Sequence, residues 1–260
     1  MQIFNPDYLK KLLKKYGPTY VLVNGSKYMS TYLLHFVMTP VYLQRLKALP
    51  TTMSIKAVLK FTNEDCYQAF QPLQYTFEIT KLLEHVKKMK PKVVVEIGTA
   101  NGGTLLSMIK VAPKDASFVS IDLPAGEFGG GYAWYKIPLL KAFVSGKQSL
   151  HLLRADSHKL ETRQQLEKIL AGQPIDFLFI DGDHTFKGVK QDFELYSPLV
   201  RKGGSIAFHD IVPHAKELNT EVDKFWNKIS KKYPSKTFVE NWKQGMCGIG
   251  VLTNRKKSRV

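Results

Sequence analysis

Cysteine is nearly absent from this chain: Cys66 and Cys247 are the only two among 260 residues. They stand far apart and outside any paired spacing. That excludes a disulfide scaffold and a zinc-ribbon motif, and it fits reduced thiols in a cytoplasmic protein. Long apolar runs are missing as well. The most apolar early stretch, Tyr32 to Val37, is short and contains His35, so no membrane-spanning segment is expected. The first residues show neither the apolar core nor the small-residue cleavage site of a secretory signal. No G-x-G-x-x-G turn occurs, which removes the dinucleotide pyrophosphate cradle, and there is no internal repeat. Acid is in short supply, with 22 Asp/Glu against 38 Lys/Arg and a formal net charge of +16.

That excess of base is unevenly placed. Residues 1–92 carry 14 Lys/Arg against 5 Asp/Glu, whereas residues 93–254 carry 20 against 17. The tail Arg255-Lys256-Lys257-Ser258-Arg259 is basic again. A basic extension on a near-neutral body suggests an anionic partner: lipid headgroups, nucleic acid or a phosphorylated substrate. A lysine-rich solvated surface is the plainer alternative. With 44% hydrophobic residues the chain can bury a large core. The expected organisation is a helical N-terminal extension or lid over residues 1–73, a main domain over residues 74–254 and a basic tail over residues 255–260.

In the extension, Leu9, Leu12, Leu13 and Tyr16 share one helical face, with Lys10, Lys11, Lys14 and Lys15 opposite. Such a helix suits packing on its own domain or lying on a membrane surface. Residues 17–73 are aromatic-rich and broken by Pro40, Pro50 and Pro72, without a readable period. From Thr76 the spacing of Ile79, Leu82, Leu83 and Val86 predicts a helix stopped by Pro91. Apolar runs and helical patterns then alternate. Strands are expected from Val93, from Ser117 to Ile121, Leu150 to Leu153, Ile175 to Ile180 and Ser205 to Phe208, then from Thr237 to Glu240 and Gly248 to Leu252. That alternation predicts an α/β fold with a doubly wound, mostly parallel seven-stranded sheet.

The chain is organised around Val93-Val94-Val95-Glu96-Ile97-Gly98-Thr99-Ala100-Asn101-Gly102-Gly103-Thr104-Leu105-Leu106. Three β-branched residues read as a buried strand. An acid, a turn with three glycines and the apolar start of a helix follow. Glycine permits a tight turn and close approach of a ligand, and the helix start presents free backbone N–H groups. Glu96-Ile97-Gly98-Thr99 resembles the first motif of class I S-adenosylmethionine-dependent methyltransferases. That resemblance implies cofactor contacts at Glu96, Gly98, Thr99, Asn101, Gly102 and Gly103, and also at Asp181 further along the chain.

Acids recur just past successive strand ends: Glu96, Asp122, Asp156, Asp181 and the pair His209-Asp210. Open α/β sheets bind ligands at that edge. An acid after the second strand can accept both ribose hydroxyls, which assigns Asp122 to the ribose; Asp156 with Ser157 can meet the adenine edge. Asp176-Phe177-Leu178-Phe179-Ile180-Asp181-Gly182-Asp183-His184, continuing to Gly203-Gly204-Ser205-Ile206-Ala207-Phe208-His209-Asp210, resembles methyltransferases of the macrocin O-methyltransferase and cephalosporin hydroxylase-like type. The resemblance covers about residues 74–252. In metal-dependent relatives the matching positions hold magnesium, which implies a site at Asp181, His209 and Asp210. His209 departs from the usual carboxylate, so a softer ion or another role for the histidine stays open.

Asp183 or His184 would then take the acceptor's proton. In a metal-free account His209 is itself the general base. His158 and His214 read as hydrogen-bonded structure. The loop Ala125-Gly126-Glu127-Phe128-Gly129-Gly130-Gly131-Tyr132-Ala133-Trp134-Tyr135 has glycine hinges and aromatic faces, suited to closing over a ligand. The favoured function is methyl transfer from S-adenosyl-L-methionine to an oxygen of a small molecule, sugar or glycolipid, with Mg2+ or another divalent cation as a helper. A nucleic-acid methyltransferase and a non-catalytic cofactor-binding or membrane-associated scaffold are the alternatives. An anionic membrane surface as partner and assembly into a homo-oligomer stay open.

Overall fold

The computed structural model describes residues 29–124 and 131–255. The expected helix of Leu9, Leu12, Leu13 and Tyr16, the loop residues 125–130 and the tail beyond Arg255 lie outside the described residues.

Seven strands form one sheet: β1 (Val93–Ile97), β2 (Ser117–Ile121), β3 (Ser149–Leu153), β4 (Ile175–Ile180), β5 (Val200–Phe208), β6 (Ser235–Phe238) and β7 (Ile249–Thr253). Their order is β3-β2-β1-β4-β5-β7-β6. Neighbours from β3 through β5 run parallel, and β7 runs antiparallel to both β5 and β6. The helices are α1 (residues 29–37), α2 (Thr39–Lys47), α3 (Ile55–Glu64), α4 (Thr76–Met89), α5 (Gly103–Val111), α6 (Ile137–Lys141), α7 (Leu160–Leu170), α8 (Phe186–Tyr196) and α9 (Val222–Ile229).

Parallel strands covered on both faces must be apolar at nearly every position, which is why β1 is buried along its whole length. Alternate residues feed two cores. Val94, Phe118, Phe177 and Phe179 pack on the side of α2 to α6, and Val95, Val119, Leu178 and Ile180 on the side of α7, α8 and α9. Fully burying one such side chain stabilises by roughly 1.5–3 kcal/mol. Tyr42 of α2, Val58 and Phe61 of α3, and Phe70 belong to the first of these cores. The described part of the N-terminal extension is thus built into the main body.

Two strands start two or more residues from their expected positions. β5 begins at Val200 rather than Ser205, and its pairing with β4 is irregular between Ile175 and Phe177. β6 begins at Ser235 rather than Thr237 and lies exposed at the sheet edge.

Strand order reverses between β1 and β4, and the crevice at such a point is where open sheets bind ligands. Four backbone bonds carry the ladder one residue beyond the strands there. The amides of Asp122, Gly98, Asp181 and His209 donate to the carbonyls of Leu153, Ile121, Ile97 and Ile180, at 2.9, 2.9, 2.8 and 3.2 Å. Those four residues therefore stand in one row along the sheet's edge.

Candidate active site

Along that row lies a cavity of about 500 Å³. Gly98, Thr99, Asn101 and Gly103 of the turn line it, together with Asp122, Asp156 and Ser157 from the ends of β2 and β3. Asp181, Asp183, His184, His209 and Asp210 complete the wall from the ends of β4 and β5. Glu96 and Gly102 stay off its surface. Gly102 heads α5, and Glu96 is buried beneath the turn.

The turn is tied to the acids around it. Asp122 Oδ2 accepts from the Thr99 amide at 3.0 Å and the Ala100 amide at 2.7 Å. Thr99 Oγ1 donates to Glu96 Oε2 at 2.8 Å. Burial pushes the Asp122 carboxyl up to about 6, against the two amide bonds that favour its charge. Burial pushes Glu96 well above the ordinary carboxylate value. Lys136 Nζ donates to Asn101 Oδ1 at 2.9 Å and to the Ala69 carbonyl at 3.1 Å, and burial lowers its ammonium to about 8. Non-glycine residues in left-handed backbone cluster here: Ala100, Asp210 and Cys247 have φ of 46°, 62° and 63°. Such residues cost of order 1–3 kcal/mol each and gather at functional sites.

At the ends of β4 and β5, two carboxylates and three imidazoles interlock. His209 Nδ1 lies 3.1 Å from Asp181 Oδ1 and 3.3 Å from Asp210 Oδ1. His184 Nδ1 is 2.9 Å from Asp210 Oδ2, and its Nε2 is 3.4 Å from Asp181 Oδ1. His214 Nε2 is 3.2 Å from Asp210 Oδ1. Burial alone would raise both carboxyls, but the His209 charge and the imidazole hydrogen bonds hold them below the ordinary value. Burial likewise opposes charge on His184, yet its bonds to Asp181 and Asp210 push it up to about 10. His209 is raised well above its ordinary value by Asp181 and Asp210, against its own burial.

Asp183 does structural work besides lining the cavity. Its Oδ1 accepts from the Thr185 amide at 2.8 Å at the start of α8, and Gly188 leaves room for its carboxylate. Asp156 Oδ1 likewise accepts from the His158 amide at 2.9 Å. Beyond Asp122, Tyr132 and Tyr135 are buried and Trp134 is exposed.

Sequence reasoning missed several cavity residues, and three of them bear on the cluster. Gln74, before α4, donates to Asp181 Oδ2 at 3.2 Å and accepts from Thr104 at 2.8 Å. Cys247, before β7, and His214 also line the cavity. None sits at a parallel strand's end, so no pattern marks them. Among the described residues, two groups could hold a cation: Asp181, His209 and Asp210, and separately Glu78, His209 and Cys247, with ligand atoms within 4.8 Å of one another in each.

Residues 95–211 match a family described as a methyltransferase domain. An uncharacterized protein of Acanthamoeba polyphaga mimivirus is 34% identical over 134 residues, which are 52% of this chain and 58% of that protein. The chain thus spans less than two thirds of that relative's length. Among solved structures, the O-methyltransferase TomG from Streptomyces achromogenes, involved in tomaymycin synthesis and in complex with SAM, aligns with a TM-score of 0.51 at 18% identity. That alignment covers 79% of this chain and 92% of TomG. An O-methyltransferase from Bacillus cereus in complex with SAH aligns at 0.52 and 16% identity, covering 79% and 93%. At these identities the likeness is one of fold.

Proposed function

We propose that this chain, a methyltransferase of class I fold whose matched domain spans residues 95–211, moves a methyl group from S-adenosylmethionine to a hydroxyl oxygen of a small molecule. The observation that carries this reading is a single cavity. It joins the glycine turn and the acids beyond β1 to β3 to the cluster of Asp181, His184, His209 and Asp210. S-adenosylmethionine supplies a methyl group already activated on a sulfonium, so the protein's task is alignment and proton removal. Gly98, Thr99, Asn101 and Gly103 frame the methionine portion, Asp122 takes the ribose, and Asp156 with Ser157 meets the adenine. Glu96 acts from below, by holding Thr99. The acceptor hydroxyl lies against Asp181, His184 and Asp210.

The donor atoms of Asp181, His209 and Asp210 suit a divalent cation: two carboxylates and one imidazole, within 4.8 Å of one another. Such an ion would lower the pKa of an acceptor hydroxyl. Asp183, beside them, would then receive the proton. His184 could do so only where the ion draws Asp181 and Asp210 away from its ring, because those two carboxylates otherwise keep it charged. The metal-free reading is favoured by the contact of His209 Nδ1 with Asp181. A carboxylate at one ring nitrogen fixes the tautomer that leaves the other as base.

None of the described helices is long and apolar enough to cross a membrane. A cytoplasmic place at an anionic membrane surface is part of this proposal, supported by the basic extension and by exposed Phe36, Val37 and Trp134. The test is incubation with methyl-labelled S-adenosylmethionine and, in parallel, hydroxylated small molecules, glycolipids, RNA and DNA. Label on a small-molecule or glycolipid oxygen supports the proposal. Label on nucleic acid alone, or cofactor binding without transfer to anything, overturns it.

A further inference from the structure

The imidazole of His209 has two edges, and only one belongs to the cluster described above. Nδ1 lies against Asp181 and Asp210. Nε2 is buried, and the partner within its reach is the Cys247 thiol, a weak one. Buried ring nitrogens are nearly always fully satisfied, so one left with a thiol alone asks what it is for. Two further donors stand around this ring. Glu78, in the first turn of α4, is 0% exposed, and Cys247 is 5% exposed. One carboxylate oxygen, the sulfur and a ring nitrogen of these three residues lie within 4.8 Å of one another. The two ring nitrogens point apart. With Nδ1 given to Asp181, Nε2 is the one turned to the thiol and to Glu78.

We propose that Glu78, His209 and Cys247 form a site for a soft divalent cation of the zinc class. Thiolate, imidazole and carboxylate are zinc's usual donors, in a tetrahedron whose edges are about 3.5 Å. Side-chain shifts of about 1 Å close the observed spread to that figure. The charges also balance, because a divalent cation neutralises one thiolate and one carboxylate on side chains that are themselves buried.

The surroundings are those of a supported metal site. A ligating histidine characteristically donates its other N–H to a carboxylate, which is how Nδ1 stands toward Asp181 and Asp210. Glu78 is fixed by Gln244 Nε2, which donates to Oε1 at 2.6 Å, and by the Gly248 amide, which donates to Oε2 at 2.9 Å. The Cys247 thiol donates to the Leu73 carbonyl at 3.6 Å, which holds the sulfur in place until a cation takes the proton's position. Cys247 and His209 both line the cavity, so the fourth position opens to water or to a donor on a bound acceptor. As the cation enters, the thiol gives up its proton, and Nε2 gives up any proton it carries.

One ring cannot serve two ions here. A cation on Nε2 needs the proton to stay on Nδ1, whereas a cation across Asp181, His209 and Asp210 needs Nδ1 bare. A soft ion therefore displaces a hard one. The soft-ion site itself rests on the three side chains and not on the identity of the reaction.

The test is a titration of metal-stripped, full-length protein with cobalt(II) alone, followed in the near-ultraviolet thiolate-to-cobalt charge-transfer band, with zinc then added as competitor. A band that saturates at one equivalent and is removed by zinc is the expected result. Cys66→Ser keeps the band, Cys247→Ser loses it, and Glu78→Gln weakens cobalt binding at least tenfold. X-ray absorption of the zinc-loaded wild-type protein gives an answer that does not depend on how the variants fold. One sulfur at about 2.3 Å among nitrogen and oxygen neighbours supports the site, and a sulfur-free shell overturns it. No band in the wild type, or a band that survives Cys247→Ser, also overturns it. Neither cofactor nor acceptor takes part, so a failure of the methyl-transfer proposal leaves these readouts intact.

Discussion

A β-carbon on Gly98 would fall 2.0 Å from the carbonyl oxygen of Asp181, so the turn after β1 and the end of β4 touch through bare backbone. Gly98 also has φ +85°, where a side chain is strained even in open space. Gly98→Ala should cost at least about 3 kcal/mol. In a chain of this size that corresponds to a melting temperature lower by roughly 6–12 °C. Thermal denaturation reads this directly, and a melt within a degree of the wild type would show that the turn can move away from Asp181 freely.

Asp122 should make cofactor binding pH-dependent. Its carboxyl is raised to about 6, and the ribose needs the ionised form. Affinity for S-adenosylmethionine should be constant above that value and fall about tenfold per pH unit below it. Folding has the opposite sign. A raised folded pKa contributes stability that is present below the unfolded value near 4 and lost as pH rises through about 6. Calorimetry across pH 5 to 8 checks the binding limb. Asp122→Ala should bind at least tenfold more weakly, because bonds to a charged acceptor are worth about 1.5–3 kcal/mol each. It should also lose the pH dependence, and a variant that keeps both affinity and slope would place the ribose elsewhere.

Chelation separates the two accounts of proton removal. With a divalent ion across Asp181, His209 and Asp210, chelator should abolish transfer and leave cofactor binding in place, and manganese or magnesium should restore it. Asp210→Asn replaces a charged donor by a neutral one, so half-maximal activation should need about ten times more ion or above. Full turnover by rigorously stripped enzyme, together with an inactive His209→Ala, would assign the base to the imidazole.

Phe36 and Trp134 stack edge to face at 6.0 Å on the outside of the fold, with Val37 beside Phe36 in sequence and 69% exposed. If this patch and the basic extension meet an anionic membrane, sedimentation with anionic vesicles should fall steeply between low and physiological salt. Phe36→Ser/Trp134→Ser should weaken it several-fold while leaving the melting temperature nearly unchanged. Equal, negligible sedimentation with neutral and anionic vesicles would reduce the charge to a solvated surface.

The parallel half of the sheet was legible because burial on both faces forces continuous apolar runs, and each run stops at a polar residue. β2 and β4 stand where Ser117, Ile121, Ile175 and Ile180 mark them. The start of β5 was hidden because Arg201-Lys202-Gly203-Gly204 looks like a loop. β6 was displaced because an exposed edge strand carries no inward face to set its register. Pro40 read as a break, yet it lies in the first turn of α2, where a missing N–H costs nothing. The site's acids were visible at strand ends. Gln74 and Cys247 were not, because they reach the cavity through packing between segments far apart in the chain.

The four amides that extend the ladder past β1, β2, β4 and β5 bear on time as well as place. Each ties a cavity residue to a different neighbouring strand, so freeing any one of them means parting two strands of the buried sheet. Exchange of the Gly98, Asp122, Asp181 and His209 amides with solvent deuterium should therefore follow the opening of the whole fold rather than local fraying. The floor of the cavity keeps its shape between turnovers, and rearrangement during a reaction cycle falls to the segments that cover it.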